Sequence, residues 1–533
     1  MTGAAKEYDY VIVGGGSAGC LLANRLSAKN NSVLLLEAGN SGKYNPWLKI
    51  PFGYLYTMGN PKTDWCYVLK ENPYLGGRCL DYPRGRVLGG SSAINGMIYI
   101  RGQAQDYDNW AAAGCEGWSW REVLPYFVRH ENNQTLGGEA HGKNGELAVQ
   151  PVRSCWPLLE SFAEAARHCG IPHTDDFNLG DNFGVAYYQV NQQNGFRQTA
   201  AAAFLRPVNR RNNLTVQVCA QARKVLFSGK RAVGVEYQAP QGIQTVFAKS
   251  EVILSAGSIG SPQILQNSGV GAPSLLARHG IAVTQALDGV GENLQDHLQI
   301  RVAYRVSNAR TLNEMSHSWP SKIMMALQYA VFRSGPLASA PSQMACFAHS
   351  SGTVDRPDLQ YHVQPLTLNS FTSPLHRFPG FTASVCDLRP KSRGYVRISS
   401  ADPLATPEID PKHLSAHEDR QKAAAAIRHA RKICSAPPMA KYEPQEIAPG
   451  AVFENDEDLT REAGRISTTI FHPIGTCKMG NDDSAVVDTR LCVRGLEGLR
   501  VADASIMPDI VSGNTNAPTL MIAEKAAEII LNG

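Results

Sequence analysis

The chain has 533 residues, 43% of them hydrophobic and 18% charged, with a net charge of only +4. That is enough apolar material for two domains or one large composite core, and the balanced charge, with no basic block, excludes a nucleic-acid footprint. The twelve cysteines are scattered singly, without a C-x-x-C pair or zinc-ligand spacing, so the expectation is reduced thiols, no metal site and a cytoplasmic protein.

The N-terminal MTGAAKEYDYVIVGGG shows no apolar signal core before a cleavage site, and no later stretch has the length of a spanning helix. Tyr10 to Val13 is β-branched and apolar and predicts a buried parallel strand. Gly14, Gly16 and Gly19 follow as G-x-G-x-x-G, residues 18–27 carry helical spacing, and a second strand over 32–36 ends at Glu37. Gly14 permits the tight turn, Gly16 lets backbone approach a pyrophosphate, and Gly19 lets helix pack on strand. The helix N-terminus offers N–H groups to phosphates, and Glu37 can accept from ribose hydroxyls. The pattern predicts a dinucleotide site and leaves FAD and NAD open.

Residues 85–108, GRVLGGSSAINGMIYIRGQAQDYD, read as a loop whose small residues could lie against a ring or a phosphate. Residues 257–271, GSIGSPQILQNSGVG, follow the apolar EVILSA and predict another strand-to-helix crossing, with Pro262 in the first turn. GVGENLQDH ends in His297, which reads as structural. The Met-rich stretch 319–347 predicts a helix packed on a second domain, or else a lid or membrane-surface patch. DLQYHVQP and SRGYVRISS alternate apolar and polar residues, as in an antiparallel sheet with one covered face. His362 in the first of these could face a cavity or pair within the sheet. In FHPIGTCKMG, His472 has no local feature that assigns it a role, and Cys477 reads as a small apolar filler. After SGNTNAPT a last helix is expected over 517–531, with Asn516 as its cap.

Two of these segments resemble the signature sequences of the glucose-methanol-choline (GMC) oxidoreductases. One is Gly85-Arg86-x-Leu88-Gly89-Gly90-Ser91-Ser92-x-Ile94-Asn95 with Tyr99, Gly102 and Asp108. The other runs from Gly257-Ser258 through Ser261-Pro262 to Ser268-Gly269-Val270-Gly271. GVGENLQDH and LRVADASIMP are similar to family segments as well. MIYIRG, LRPKSRGYVRI and NTNAPTLMIAEKAAEII resemble the bacterial choline, alkanol and sorbose dehydrogenase branch.

The resemblance implies an α/β, Rossmann-like FAD-binding domain of GMC fold over 1–151, 195–297 and 466–533. An α+β substrate domain on an antiparallel sheet would occupy 152–194 and 298–465. It implies a flavoprotein that oxidises an alcohol by hydride transfer to flavin N5, with His472 as base; SGNTNAPT supplies Asn514 and Asn516 for its partner, and Asn516, 44 residues after His472 and immediately before the last helix, is the better match. Gly14, Gly16, Ser17 and Gly19 would meet the pyrophosphate, Glu37 the ribose, and Val225 the adenine. Arg86, Gly90, Ser91, Asn95 and Gly96 would pass the flavin, and Asp503, Ala504, Asn516 and Ala517 would complete its cradle. Ile94 stands where some members carry a flavin-bonded histidine, so FAD is expected to be non-covalent. Electrons would pass to a quinone, a dye or O₂. An oxidase and a flavin-containing lyase are alternatives on the same fold, and peripheral contact with the inner face of a membrane is a further possibility.

Overall fold

The computed structural model describes residues 6–340, 342–370 and 373–533. Fourteen strands and six helices build or brace the site. In chain order the first are β1 (Glu7–Val13), α1 (Ser17–Leu26), β2 (Val33–Leu36), α2 (Pro157–His168), β3 (Gly184–Tyr187), β4 (Leu214–Gln217) and β5 (Gln221–Ser228). Next come β6 (Arg231–Ala239), β7 (Gly242–Leu254), α3 (Gly257–Asn267), β8 (Leu298–Arg305), α4 (Trp319–Phe332), β9 (Met344–Ala348), β10 (Leu359–Gln364) and β11 (Gly380–Asp387). The last are α5 (His417–Cys434), β12 (Gln445–Ala448), β13 (Ser467–Thr469), β14 (Leu499–Val501) and α6 (Asn516–Asn532).

One sheet runs β4-β2-β1-β7-β6-β5, with β14 also on β7. Its β4, β2, β1, β7 and β14 pairings are parallel, and β7-β6-β5 forms an antiparallel extension. The continuous apolar runs VIV and VLLL suit strands buried on both faces; each of those residues is buried. The chain leaves β1 at Gly14, whose φ of +103 favours glycine. A Cβ on Gly19 would lie 1.8 Å from the Gly14 carbonyl oxygen, so the third glycine brings α1 against the strand end. Helix α6 packs beside α1 in the same core.

The second sheet runs β12-β8-β11-β10-β9-β3, with β13 on β8, and every pairing is antiparallel. The alternation of DLQYHVQP predicted one covered face. In the structure all six residues of β10 are buried. Leu359, Tyr361 and Val363 join an apolar cluster with Phe162 of α2 and Ile427 of α5. Gln360, His362 and Gln364 lie on the other face, which the first sheet's domain covers. In register, Arg301, Ser384 and His362 form one cross-strand row, and Gln299, Cys386 and Gln360 the next. The polar alternation therefore marks an internal wall, not a wet surface.

The expectation of a helix in 319–347 is met by α4, but little of it packs. Met325 and Tyr329 are its buried side chains. Trp319, Val331 and Phe332 are 74%, 67% and 68% exposed. Among the described residues no helix is long and apolar enough to cross a membrane.

Candidate active site

A deep cavity lies between the two sheets, and the N-termini of three helices open onto it. Gly16 and Ser17 of α1, Gly257 and Ser258 of α3, and Asn514 to Asn516 at the start of α6 all line it. In none of the three does the N-cap residue's own side chain cap the helix; the first N–H of α3 is taken by Asp503, and the remaining first-turn N–H groups favour anionic groups at the cavity. The preceding Cβ space at Gly16 is open, with its nearest neighbour 4.0 Å away.

Glu37 closes this end. Its two carboxylate oxygens accept from Gly15 N at 2.8 Å and Gly39 N at 2.7 Å. Burial raises its pKa to about 7 against those hydrogen bonds. Asp503 lies across the cavity and accepts from Gly257 N, Ser261 Oγ and Ser505 N at 2.9, 2.6 and 2.8 Å. Three converging helix ends, a glycine floor and a ribose-side carboxylate fit a dinucleotide with a pyrophosphate at its middle.

Of the residues expected at the cofactor, Gly14, Gly16, Ser17, Glu37, Gly90, Ser91, Asn95, Gly96, Asp503, Ala504 and Asn516 line the cavity. Four do not. Gly19 packs on Gly14, as above. Val225 lies within β5, where its N–H donates to Ser268 Oγ. The cavity wall is instead Ala220 to Ala222, three strand positions back, a displacement of about 10 Å. Arg86 sits one layer out, its guanidinium 4.7 Å over the ring of Trp65, a wall residue. Ala517 is in the α6 core.

At the other end the cavity reaches His472, on the loop after β13. That loop is tied down at several points. Phe471 adopts φ +68, an unusual value for a bulky side chain, and its N–H donates to Thr469 Oγ1 at 2.8 Å. Arg84 donates to the Phe471 carbonyl at 2.6 Å. Asp296 accepts from His472 N at 2.7 Å and from Thr469 Oγ1 at 2.5 Å. The His472 ring is buried, and burial, then His297, His362 and Arg84, hold it well below the usual histidine pKa.

The structure places Asn514, not Asn516, beside this ring. Asn514 Nδ2 is 3.1 Å from His472 Nε2. Asn516 is the first residue of α6, not its cap, and its Oδ1 accepts from Ser17 Oγ at 2.8 Å. It thereby joins the first turns of α6 and α1. The two asparagines diverge because 514 lies in the turn entering the helix and 516 already within it.

His297, read from sequence as structural, has its Nδ1 3.0 Å from His472 Nδ1. His362 lines the cavity together with Gln299, Ser342 and Gln364. Cys477 is buried in the core beside the site, and burial pushes its thiol well above the usual value, which suits a filler. Sequence reasoning missed Arg84, Asp296 and Gln299, and it weighed Asn514 but preferred Asn516. The run NLQDH carries Asp296, His297 and, two residues on, Gln299, and of these only His297 stood out in the sequence, as a structural residue.

The chain belongs to the GMC oxidoreductase family, whose models match residues 8–299 and 390–523. It is 44% identical to the alcohol dehydrogenase (acceptor) of Pseudomonas putida over 98% of this chain and 96% of that one. It is 41% identical to the oxygen-dependent choline dehydrogenase of Photobacterium profundum over 98% and 93%. Among solved structures, pyridoxine 4-oxidase from Mesorbium loti superposes with a TM-score of 0.89 at 31% identity, covering 98% of both chains. The protein is an oxidoreductase, and its activity is the FAD-dependent oxidation of an alcohol. Its FAD is bound non-covalently. At the position of a flavin-bonding histidine stands Ile94, a cavity-wall side chain with no nucleophile.

Proposed function

We propose that His472 is the base and Asn514 the hydrogen-bond donor in the oxidation of a neutral alcohol. The observation that carries this reading is the juxtaposition of His472 Nε2 and Asn514 Nδ2 at the cavity wall. Bound FAD supplies the hydride acceptor. The chain's own groups manage the hydroxyl. His472 is neutral at working pH and accepts the hydroxyl proton at Nε2. The amide of Asn514 donates to the oxygen as negative charge develops on it. His472 is itself buried, which limits water at that charge.

The lining argues for an uncharged substrate. Among the described lining residues the carboxylates are Glu37 and Asp503, both held by backbone N–H groups at the dinucleotide end. The polar groups of the second sheet that face the cavity, Gln299, His362 and Gln364, carry no negative charge. Tyr54, Trp65, Tyr67 and Phe471 add aromatic wall, suited to an alkyl or aryl body. A quaternary ammonium alcohol would find aromatic faces, but among the described lining residues no carboxylate stands at the His472 end, and Asp296 behind the loop is engaged by His472 N and Thr469 Oγ1.

The electron acceptor is read as a quinone or comparable carrier, on the likeness to the acceptor-dependent Pseudomonas enzyme. Helix α4, with its exposed apolar side chains and Lys322 5.1 Å over Trp319, is read as a peripheral membrane contact.

An anaerobic panel of aliphatic, aromatic, polyol and cationic alcohols, monitored by flavin bleaching, tests the substrate reading. Neutral alcohols should bleach fastest. Preference for choline would overturn it. Repeating turnover with O₂ alone and with a quinone separates oxidase from dehydrogenase.

A further inference from the structure

Two hydrogen-bond chains converge on His472, and each begins at a backbone carbonyl, which can only accept. Their directions can therefore be followed inward from those carbonyls.

The first chain starts at the Leu388 carbonyl. His297 Nε2 lies 3.1 Å from it, so that nitrogen carries a proton and donates. His297 is buried, and burial lowers its pKa. The ring is then neutral, and its Nδ1 has only a lone pair to offer. The 3.0 Å contact between His297 Nδ1 and His472 Nδ1 requires the proton to be on His472 Nδ1. His472 Nε2 is left with a lone pair.

The second chain starts at the Tyr361 carbonyl, which accepts from Tyr188 Oη at 2.8 Å, a closer acceptor than His362 Nδ1 at 3.4 Å. With its proton committed, that hydroxyl accepts from Gln360 Nε2 at 2.9 Å. The Gln360 amide is thus oriented with its nitrogen inward, where it also donates to Asn514 Oδ1 at 3.1 Å. Asn514 must then present Nδ2 to His472 Nε2. Both routes name the same atom as the acceptor.

We infer that His297 and Gln360 are positioning residues, which together fix His472 as the tautomer whose Nε2 lone pair faces the substrate hydroxyl. Neither touches the reacting atoms. His297 sets the proton on the far nitrogen, and Gln360 sets the amide so that its N–H₂, not its oxygen, meets base and substrate. An imidazole with its proton on Nε2 would have nothing with which to accept at the cavity. The inference rests on His472 being the base, as proposed above.

The sharpest variant is Gln360→Glu. It preserves shape but cannot donate to Asn514 Oδ1 when ionised. Asn514 should turn its nitrogen to the carboxylate and its oxygen to His472, which draws the proton to Nε2. His297→Leu removes the acceptor at Nδ1, and His297→Gln restores one.

The readout is the ¹⁵N spectrum of histidine-labelled holoenzyme, with the His472 nitrogens assigned by their loss in His472→Ala. Wild type should show a pyrrole-type Nδ1 and a pyridine-type Nε2. Gln360→Glu should move Nε2 toward the pyrrole type and lower kcat/KM roughly tenfold or more, a part of what a positioned base contributes. His297→Leu should do likewise, and His297→Gln should recover most of both signals.

A wild-type spectrum with the proton on Nε2 would overturn the inference, whether or not the variants fold. So would an unchanged tautomer and rate in both Gln360→Glu and His297→Leu, provided that His472→Ala is slow. If His472→Ala itself oxidises alcohol at the wild-type rate, it is the assignment of the base that fails.

Discussion

A Cβ placed on Gly90 would lie 2.6 Å from the Cα of Gly16. The loop of the first GMC signature and the turn into α1 thus touch backbone to backbone, on the floor of the cavity. Gly90 also adopts φ +53, a region unfavourable to other residues. Neither backbone can yield without moving a phosphate-facing helix end. Gly90→Ala should therefore purify largely without flavin, measured as the ratio of flavin to protein absorbance. Wild-type flavin content in that variant would show that the floor is more yielding than its geometry implies.

The two asparagines should separate by phenotype. Asn514→Ala should lower kcat/KM by about 10²–10³, the usual effect of removing one donor to a developing oxyanion, with flavin content maintained. Asn516→Ala removes the tie to Ser17 and should act first on flavin retention, seen as a raised FAD dissociation constant. The reverse pattern would return the donor role to Asn516.

His141 is buried between two carboxylates, with Nδ1 3.1 Å from Glu131 and Nε2 2.7 Å from Asp176. Burial opposes its charge, but the hydrogen bonds to Asp176 and Glu131 outweigh it and raise the pKa to about 9. Because the folded value lies above the unfolded one of about 6.5, the stabilisation is fully present below pH 6.5 and is lost as pH rises through 9. His141→Gln should thus lower Tm most at pH 6 and least near pH 9.5. A Tm difference that grows with pH would contradict the assignment.

If α4 rests on a bilayer, its exposed stripe is the contact. Leu327→Asp combined with Val331→Asp places two charges on that face and leaves the buried Met325 and Tyr329 in place. The double variant should fail to float with anionic liposomes that carry the wild-type protein, with Tm unchanged. Failure of the wild type to float would remove the membrane reading altogether.

The parallel half of the fold was legible because its signals are local. VIV, the three glycines, a helical repeat and Glu37 fall within forty residues, and each has one physical task. The second sheet was legible as a sheet, from the period-two alternation of DLQYHVQP, and His362 as a side chain that could face a cavity or pair within it, but the pattern did not choose between the two. Alternation reports two unlike faces and does not say what covers the polar one. His472 stood out through likeness, not through local chemistry. The asparagine beside its ring is Asn514 and not Asn516 because the first turn of α6 begins at 516. Whether an asparagine caps, enters or precedes a helix turns on one residue of boundary, the least certain quantity in a sequence. The part played by His297 lay out of reach, since it depends on a contact with a residue 175 positions away.

Strand β10 divides its labour by parity. Leu359, Tyr361 and Val363 lock into the apolar layer beneath, while Gln360, His362 and Gln364 look toward the reaction. Every second residue can therefore be rewritten without disturbing the layer that holds the strand in place. Drift at the even positions would alter which alcohol is accepted, or how firmly Asn514 is aimed, and leave the scaffold intact. A sheet of this kind lets selection edit recognition and stability on separate pages, and directed evolution of this enzyme should begin on the even one.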